Sequence, residues 1–211
     1  RKMHHKTVLD NGVKVLSEHL PHVRSVSLGI WIGVGSRDER PDESGISHFI
    51  EHMIFKGTRR RSSLDIAREL DAVGGLSNAF TGKESTCIHG RVLDRHFPRL
   101  VDILSDLFLQ SVFDRDEMNR EKQVVLQEIS MVEDTPEEYV HLLHGRHCWP
   151  NHPIGMSVLG SGESVSSFDQ DLLLDFYRRY YTPERVIIAA AGNIRHDDLL
   201  DAVRSLFEHL P

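Results

Sequence analysis

Cysteine is scarce in this chain of 211 residues: it has two, Cys87 and Cys148, which stand far apart and in no C-x-x-C pattern. The sequence therefore indicates no disulfide framework and favours a reducing compartment. Long apolar runs are also missing, and no segment approaches the ~18 residues that a transmembrane helix needs. Residues 1–5 are followed by no apolar segment of the kind found in signal peptides. These features predict a soluble protein without a membrane span.

A surplus of positive charge is the third absence. Lysine and arginine number 25 against 32 aspartates and glutamates, which gives a net charge of −7. This balance argues against a general binder of nucleic acids or anionic membranes. The single basic run, Arg59 to Arg61, is short, and we expect it to be a solvated loop. With 39% hydrophobic and 27% charged residues, the composition is typical of a globular protein with a sizeable core.

The chain mixes strand-like and helix-like segments without a strict β-α-β alternation. Asp10, Asn11 and Gly12 supply turn residues between two short β-prone runs, which predicts a hairpin. We expect a single domain over residues 1–211 of the α+β class, in which a largely antiparallel sheet is packed with helices on one side. The predicted strands are 6–9, 13–17, 25–34, 76–81, 85–92 and 186–191; the predicted helices are 45–57, 62–73, 98–108, 114–134, 136–147, 169–180 and 197–210; the predicted loops are 36–44 and 151–167.

Residues 47–53, SHFIEHM, contain the order H-x-x-E-H, the reverse of the commoner H-E-x-x-H, which defines the inverzincin pattern. If the stretch is helical, His48 and His52 lie one turn apart on the same side, with Glu51 beside them. Two imidazoles at this spacing can hold one Zn²⁺, and the carboxylate can accept a proton from water that the metal acidifies. The pattern therefore indicates half of a zinc-hydrolase site.

The helical context of the motif favours this interpretation over a surface helix that carries two histidines and a glutamate by chance. Apolar residues recur at positions 46, 49, 50 and 53, so one face can be buried while the other meets a cavity. Ser44 is the predicted N-cap of this helix, and Gly57 is its predicted end. Catalytic zinc normally takes three protein ligands, and the residues alone leave Glu117, Glu121 and Glu128 of the long charged helix open as the third.

Residues 48–58, HFIEHMIFKGT, resemble the signature of the pitrilysin-type (M16) zinc peptidases. In that family the third ligand is a glutamate 76 residues after the second histidine, which is Glu128 in this chain. The resemblance implies one Zn²⁺ held by His48, His52 and Glu128, with Glu51 as the catalytic base. A glutamate one heptad before the third ligand supports the family's site. It corresponds to Glu121, which would orient a ligand histidine.

A second stretch that resembles the family is SNAFT, residues 77–81, together with Glu84. In the family this N-A-x-T-x-x-E segment is the edge strand to which an extended peptide pairs by β-augmentation. The chain departs from the pattern at Cys87 and Ile88, because relatives often carry an aromatic residue there. Other matching stretches are residues 151–155, 181–183 and 191–193. The implied substrate-binding residues are Asn78, Ala79, Phe80, Thr81 and Glu84.

The resemblance implies a zinc-dependent metalloendopeptidase domain that cuts peptides held as an added strand. The family pairs this kind of domain with a second homologous domain, which contributes an Arg/Tyr pair and would follow after about Leu210. We therefore expect a homologous C-terminal half, a partner subunit or a second copy of the chain to complete catalysis. The alternatives are a non-catalytic M16-like subunit or scaffold, and a metal-binding regulatory domain. The expected location is the bacterial cytoplasm or the mitochondrial matrix.

Three further histidines, His141, His144 and His147, recur every third residue before Cys148. A spacing of three drifts around a helix, and Gly145 weakens the helix that would carry them. We expect these histidines to be solvated or packed, without a second metal.

Overall fold

The computed structural model describes residues 4–150 and 152–210, which form one six-stranded sheet and eight α-helices. Residues 1–3, Asn151 and Pro211 lie outside the described residues, so the family-like stretch at 151–155 is described only from His152. The strands are β1 (His4–Val8), β2 (Lys14–His19), β3 (Ser25–Ile32), β4 (Leu76–Thr81), β5 (Thr86–Leu93) and β6 (Val186–Gly192). The helices are α1 (Ile46–Met53), α2 (Ser63–Ala72), α3 (Phe97–Gln110), α4 (Arg115–Glu133), α5 (Pro136–Cys148), α6 (Gly162–Ser167), α7 (Gln170–Tyr180) and α8 (His196–Phe207).

The strands lie in the order β1-β2-β6-β3-β5-β4, so β1 and β4 form the two edges of the sheet. The pair β2–β6 is parallel, and the other four neighbouring pairs are antiparallel. The predicted hairpin is the β1–β2 pair, and its turn holds Gly12 at φ 100°, a backbone conformation that favours glycine. The expectation of a largely antiparallel sheet is confirmed.

One face of the sheet carries the core because its strands alternate apolar and exposed residues. In β3, Val26, Leu28 and Ile30 are buried against the helical layer, whereas Trp31 on the opposite face is 39% exposed. Full burial of one such aliphatic side chain contributes about 1.5–3 kcal/mol. The helices therefore pack on a single side, which confirms the predicted α+β class.

Helix α1 is fixed by its own apolar stripe, which packs within this layer and next to α4 and β4. Ile46, Phe49, Ile50 and Met53 are all fully buried, as the spacing predicts. The ring of Phe49 makes an edge-on contact with Phe168, with centroids 5.5 Å apart. The other face of the helix is left for polar side chains.

Both predicted ends of α1 are wrong. The N-cap is Gly45, at φ 90°, rather than Ser44, and the helix ends at Met53, before Gly57. A glycine is needed there because a Cβ on Gly45 would lie 2.5 Å from the carbonyl oxygen of Leu159. A contact between residues distant in sequence therefore sets the start of the helix.

Both predicted loops contain short helical segments. Residues 36–44 hold two 3-10 turns, Ser36–Asp38 and Pro41–Glu43, and residues 152–167 hold the turn Pro153–Gly155 and helix α6. Short polar segments of this kind lack the apolar periodicity that identifies longer helices. Within residues 4–150 and 152–210, no helix combines the length and apolar character needed to cross a membrane.

The prediction of a solvated basic run is wrong for its last residue. Arg61 is only 6% exposed, and its guanidinium donates to the fully buried Asp106 at 2.7 Å and to Glu69 at 2.8 Å. Asp102 completes this ion-pair network. The network ties the segment after α1 to helices α2 and α3, because these carboxylates belong to them.

Candidate metal centre

Helix α1 presents His48 and His52 side by side. Their ring centroids are 4.6 Å apart, and their side chains are 12% and 18% exposed. This placement follows from a spacing of four residues in a helix whose opposite face is buried. Burial, with a smaller effect of the charge of His52, lowers the pKa of His48 from 6.5 to about 4. The imidazole is therefore neutral near pH 7 and keeps a lone pair for a metal.

Glu128 of α4 approaches both histidines. Its Oε2 lies 3.7 Å from Nε2 of His48 and 3.6 Å from Nε2 of His52. One potential ligand atom from each of the three residues lies within 4.8 Å of the others, and the described residues contain no second group of three such side chains. Two imidazole nitrogens and one carboxylate oxygen are a donor set of catalytic zinc sites, which keep a position open for water or substrate. The three side chains therefore fit a zinc ion.

Glu121 lies behind His52 and is only 5% exposed. Its Oε2 accepts a hydrogen bond from Nδ1 of His52 at 3.0 Å, and its Oε1 lies 2.6 Å from Nζ of Lys56. Because a carboxylate can only accept, Nδ1 carries the hydrogen and Nε2, the atom facing Glu128, keeps its lone pair. Glu121 thus orients the ring of His52, and Lys56 pairs with the buried carboxylate.

Glu51 lies beside the two histidines on α1. Its Oε2 is buried and has no hydrogen-bond partner within the described part of the chain. Burial raises the pKa of the Glu51 carboxyl, and hydrogen bonding to Thr81 and the charge of His52 partly offset this rise. A carboxylate of raised pKa is a stronger base than an exposed one, which suits proton transfer near neutral pH.

Strand β4 is the edge strand beside α1, and successive side chains alternate between its two faces. Ala79 is buried, and Thr81 donates its hydroxyl to the carbonyl of Ser47 on α1 at 3.4 Å. Asn78 and Phe80 are exposed on the other face. Of the four strand residues expected to bind substrate, only Thr81 has a side chain with a described hydrogen bond to α1.

Glu84, the fifth residue expected to bind substrate, lies in the turn after β4 and pairs with Arg37. Both side chains are largely exposed, at 65% and 46%. The backbone of β4 pairs with β5 along its whole length, and no other described strand pairs with its outer edge. A peptide can therefore meet the backbone of β4 at an open sheet edge.

The histidines of α5 are not gathered into a second metal-binding group. His144 Nε2 lies 3.5 Å from Sγ of Cys148, and both residues are exposed. His141 and His147 do not join them in a group of three potential ligands among residues 4–150 and 152–210. The other cysteine, Cys87, is buried, and burial raises the pKa of its thiol to about 12.

The sequence patterns do not predict the contacts of Lys56 and Glu39 at this site. Lys56 stands four residues after His52, and a cation at that spacing from a candidate ligand is a signal that could have been used. Glu39 has no such signal, because it lies in a polar loop and reaches α1 only in the folded chain. Its carboxylate accepts hydrogen bonds from the N–H groups of Gly45 and Ser47.

Fold and site together place the protein in the class of metallopeptidases. A family model described as "Insulinase (Peptidase family M16)" matches residues 14–162, and one described as "Peptidase M16 inactive domain" matches residues 167–211. The first match covers well over half of the chain. The protein belongs to peptidase family M16 and contains a protease domain of that type.

Bacterial proteins named as zinc proteases are similar to this chain along most of its length. The "Uncharacterized zinc protease YmxG" of Bacillus subtilis (strain 168) is 48% identical over 191 residues, which are 90% of this chain and 47% of that protein. The "Uncharacterized zinc protease SCO5738" of Streptomyces coelicolor is 42% identical over 203 residues, 96% of this chain and 44% of that protein. The chain thus spans about half the length of the curated relatives it matches.

Solved structures of proteases share the fold. The crystal structure of a protease from Helicobacter pylori superimposes with a TM-score of 0.93 at 23% identity, over 98% of this chain and 50% of that one. The periplasmic protease PqqL from Escherichia coli gives a TM-score of 0.90 at 22% identity, over 100% of this chain and 24% of that one. At these identities the likeness shows the fold alone.

Proposed function

We propose that this chain is a zinc-dependent metalloendopeptidase domain that hydrolyses extended peptides bound as an added strand on β4. The observation that carries the proposal is the convergence of His48, His52 and Glu128, with Glu51 on the same helix as the two histidines. The relatives named as zinc proteases support the choice of metal.

The chemistry divides between the metal and the chain's own carboxylates. Zinc held by the three ligands would lower the pKa of a water toward about 7 and polarise the scissile carbonyl. Glu51 accepts the proton of the attacking water and delivers it to the leaving amine as the peptide bond breaks. Glu121 holds the ring of His52 so that Nε2 faces the metal position. Lys56 pairs with the same carboxylate.

The open edge of β4 supplies the substrate site. An edge strand offers unpaired N–H and C=O groups to which an extended peptide can pair. Thr81, at the end of β4, hydrogen-bonds to Ser47 and interacts with Glu51, so a peptide paired there lies beside the base. This mode selects flexible or unfolded peptides, because a folded substrate cannot extend along the sheet edge.

A second homologous half is part of the proposal. The chain spans about half the length of its relatives. The family resemblance implies that a second domain contributes an Arg/Tyr pair at the reacting carbonyl. We expect this chain alone to bind about one zinc and to hydrolyse peptides weakly until a second half, a partner subunit or a second copy joins it. The non-catalytic alternative is less favoured because the three ligands and Glu51 are all present.

The test is a metal analysis combined with cleavage of a peptide library. Both are measured on the wild-type chain and on Glu51→Gln, each with and without a second homologous half. Glu51→Gln should keep the zinc content of the wild type and lose hydrolysis by about 10²–10⁴-fold, the usual contribution of a general base.

Three results would contradict parts of this proposal. Full hydrolysis by Glu51→Gln would end the assignment of the base. Strong hydrolysis by a strictly monomeric wild-type chain would refute the need for a second half. Zinc binding without hydrolysis in any form would favour a scaffold or a regulatory metal site instead.

A further inference from the structure

We propose that Glu39 is a positioning residue of the metal centre, which anchors the first turn of the metal-bearing helix to the loop that also braces the substrate strand. Its Oε2 accepts a hydrogen bond from the N–H of Gly45 at 2.7 Å, and its Oε1 accepts one from the N–H of Ser47 at 2.9 Å. The residue is only 7% exposed. The inference rests on the proposed zinc-peptidase function.

Helix α1 needs an external cap. It has only eight residues, and its N-cap is Gly45, which has no side chain to accept from the free N–H groups of the first turn. A larger residue is excluded there by the close approach of Leu159. A carboxylate at a helix N-terminus also interacts favourably with the helix dipole. Glu39 supplies both effects from six residues before the cap, through contacts that form only on folding.

The loop that carries Glu39 is tied to the turn after β4. The N–H of Ser36 donates to the carbonyl of Gly82 at 3.2 Å, and the N–H of Arg37 donates to the carbonyl of Lys83 at 2.9 Å. Two residues further along, Glu39 holds the start of α1. One short segment therefore fixes the metal-bearing helix relative to the end of the strand on which a peptide would lie.

This placement has a cost in stability. Burial raises the pKa of Glu39 from 4.5 to about 7, in spite of its hydrogen bonds to Gly45 and Ser47. Ionisable groups with strongly shifted pKa values are concentrated at functional sites. The unfavourable burial of Glu39 beside the metal-bearing helix fits a residue that is needed there for function.

The matched control is Glu43, a second buried glutamate of the same loop. It is 1% exposed, accepts from the N–H of Arg40 at 3.1 Å and pairs with Arg179, and it makes no described hydrogen bond to α1. Glu39→Gln and Glu43→Gln thus each replace one buried carboxyl group by an amide at neighbouring positions of the same loop. They differ in whether the first turn of α1 loses its anchor.

The experiment measures metal binding rather than hydrolysis. Zinc affinity is determined by competition with a chromophoric chelator, and the absorption bands of the cobalt-substituted protein report the ligand geometry. We expect Glu39→Gln to weaken zinc binding by about 10–100-fold, the usual effect of losing a group that orients the ligands, and to change the cobalt bands. Glu43→Gln should stay within about threefold of the wild type and keep its cobalt spectrum. In the enzyme joined to its second half, Glu39→Gln should lower kcat more than it changes KM.

Glu39→Asp is the second variant, in case Glu39→Gln does not fold. It keeps the charge but shortens the side chain, so it cannot keep both hydrogen bonds, and we expect a smaller loss of zinc affinity. Wild-type zinc affinity and cobalt bands in Glu39→Asp, or equal losses in Glu39→Gln and Glu43→Gln, would overturn the role of Glu39. A wild-type chain that binds no zinc would instead refute the proposed function, and this inference with it.

Discussion

Replacing Glu121 by glutamine tests how far the proposed metal centre depends on the groups behind its proposed ligands. The carboxylate is 5% exposed and makes two short contacts, 3.0 Å to Nδ1 of His52 and 2.6 Å to Nζ of Lys56. The amide of glutamine can still accept one hydrogen bond, but it carries no charge and directs N–H groups at one of the two donors. The substitution therefore loosens His52 and leaves the Lys56 ammonium without its anionic partner.

The expected loss follows from these contacts. Removing a partner that orients a ligand histidine typically weakens metal binding 10–100-fold, or about 1.4–2.8 kcal/mol. We expect Glu121→Gln to fall in the upper part of this range, because the unpaired Lys56 charge then lies beside the zinc position. Alanine at position 121 should have at least as large an effect, since it also removes the hydrogen bond to His52.

The assay is zinc competition against a chromophoric chelator at fixed pH and ionic strength. The control is Glu117→Gln, one turn earlier in α4, whose described salt bridge is with the exposed Arg120. The control should bind zinc as tightly as the wild type does. Equal zinc affinities of Glu121→Gln and the wild type would refute the orienting role of Glu121.

Three further predictions concern stability, pH and substrate. Arg61→Ala should destabilise the fold by about 3 kcal/mol in urea unfolding, because the buried Asp106 loses its closest cation, at 2.7 Å, and keeps only the Thr58 hydroxyl and the more distant Arg60. Arg60→Ala should cost less than about 1 kcal/mol, because its side chain is 54% exposed and lies 3.8 Å from Asp106. Equal losses of stability in the two variants would refute the role of Arg61. The pKa of Glu39 is raised from 4.5 to about 7, so between these pH values the native chain keeps a proton that the unfolded chain has lost. The stability that this bound proton contributes is therefore full below pH 4.5 and is lost as the pH rises through 7. The free energy of unfolding of metal-free Glu39→Gln should therefore rise by about 3 kcal/mol relative to that of the wild type between pH 4.5 and 7.5. A difference in unfolding free energy that does not change with pH would disprove the raised pKa of Glu39. Finally, peptides N-methylated at the backbone positions that pair with β4 should be cut more slowly than their unmethylated forms, and equal rates would argue against strand addition.

The elements that the sequence predicts well are those with a strong apolar period. The burial of Ile46, Phe49, Ile50 and Met53 on α1 follows from their spacing, as does the alternation along β3. The parallel pairing of β2 with β6 does not, because it joins residues 14–19 to residues 187–192. Pairing between strands so distant in sequence depends on the packing of the whole domain.

The candidate site, like the fold, is predicted from the sequence only in part. The spacing of His48 and His52 predicts their placement on one face, because an α-helix returns to the same side after four residues. Spacing alone leaves Glu117, Glu121 and Glu128 as equivalent third ligands, and only the family resemblance separates them. In the structure the Oε2 atom of Glu128 approaches both rings, whereas Glu121 bonds to Nδ1 of His52.

Sequence patterns do not predict the polar contacts around the site. Arg61 reads as one of three solvated basic residues but closes a buried ion-pair network with Asp106 and Glu69. Glu39 reads as a loop residue but caps α1. Arg61 and Glu39 belong to no periodic sequence pattern, because their partners lie on other secondary-structure elements. Their charge alone indicates exposure to solvent, whereas both are buried.

The most direct test of the central claim is the anomalous diffraction of crystals of the zinc-loaded chain, recorded on both sides of the zinc absorption edge. We expect one strong anomalous peak within about 2.0–2.2 Å of Nε2 of His48, Nε2 of His52 and a carboxylate oxygen of Glu128. A peak elsewhere, for example beside His144 and Cys148, or a peak that lacks Glu128 as a neighbour, would contradict it.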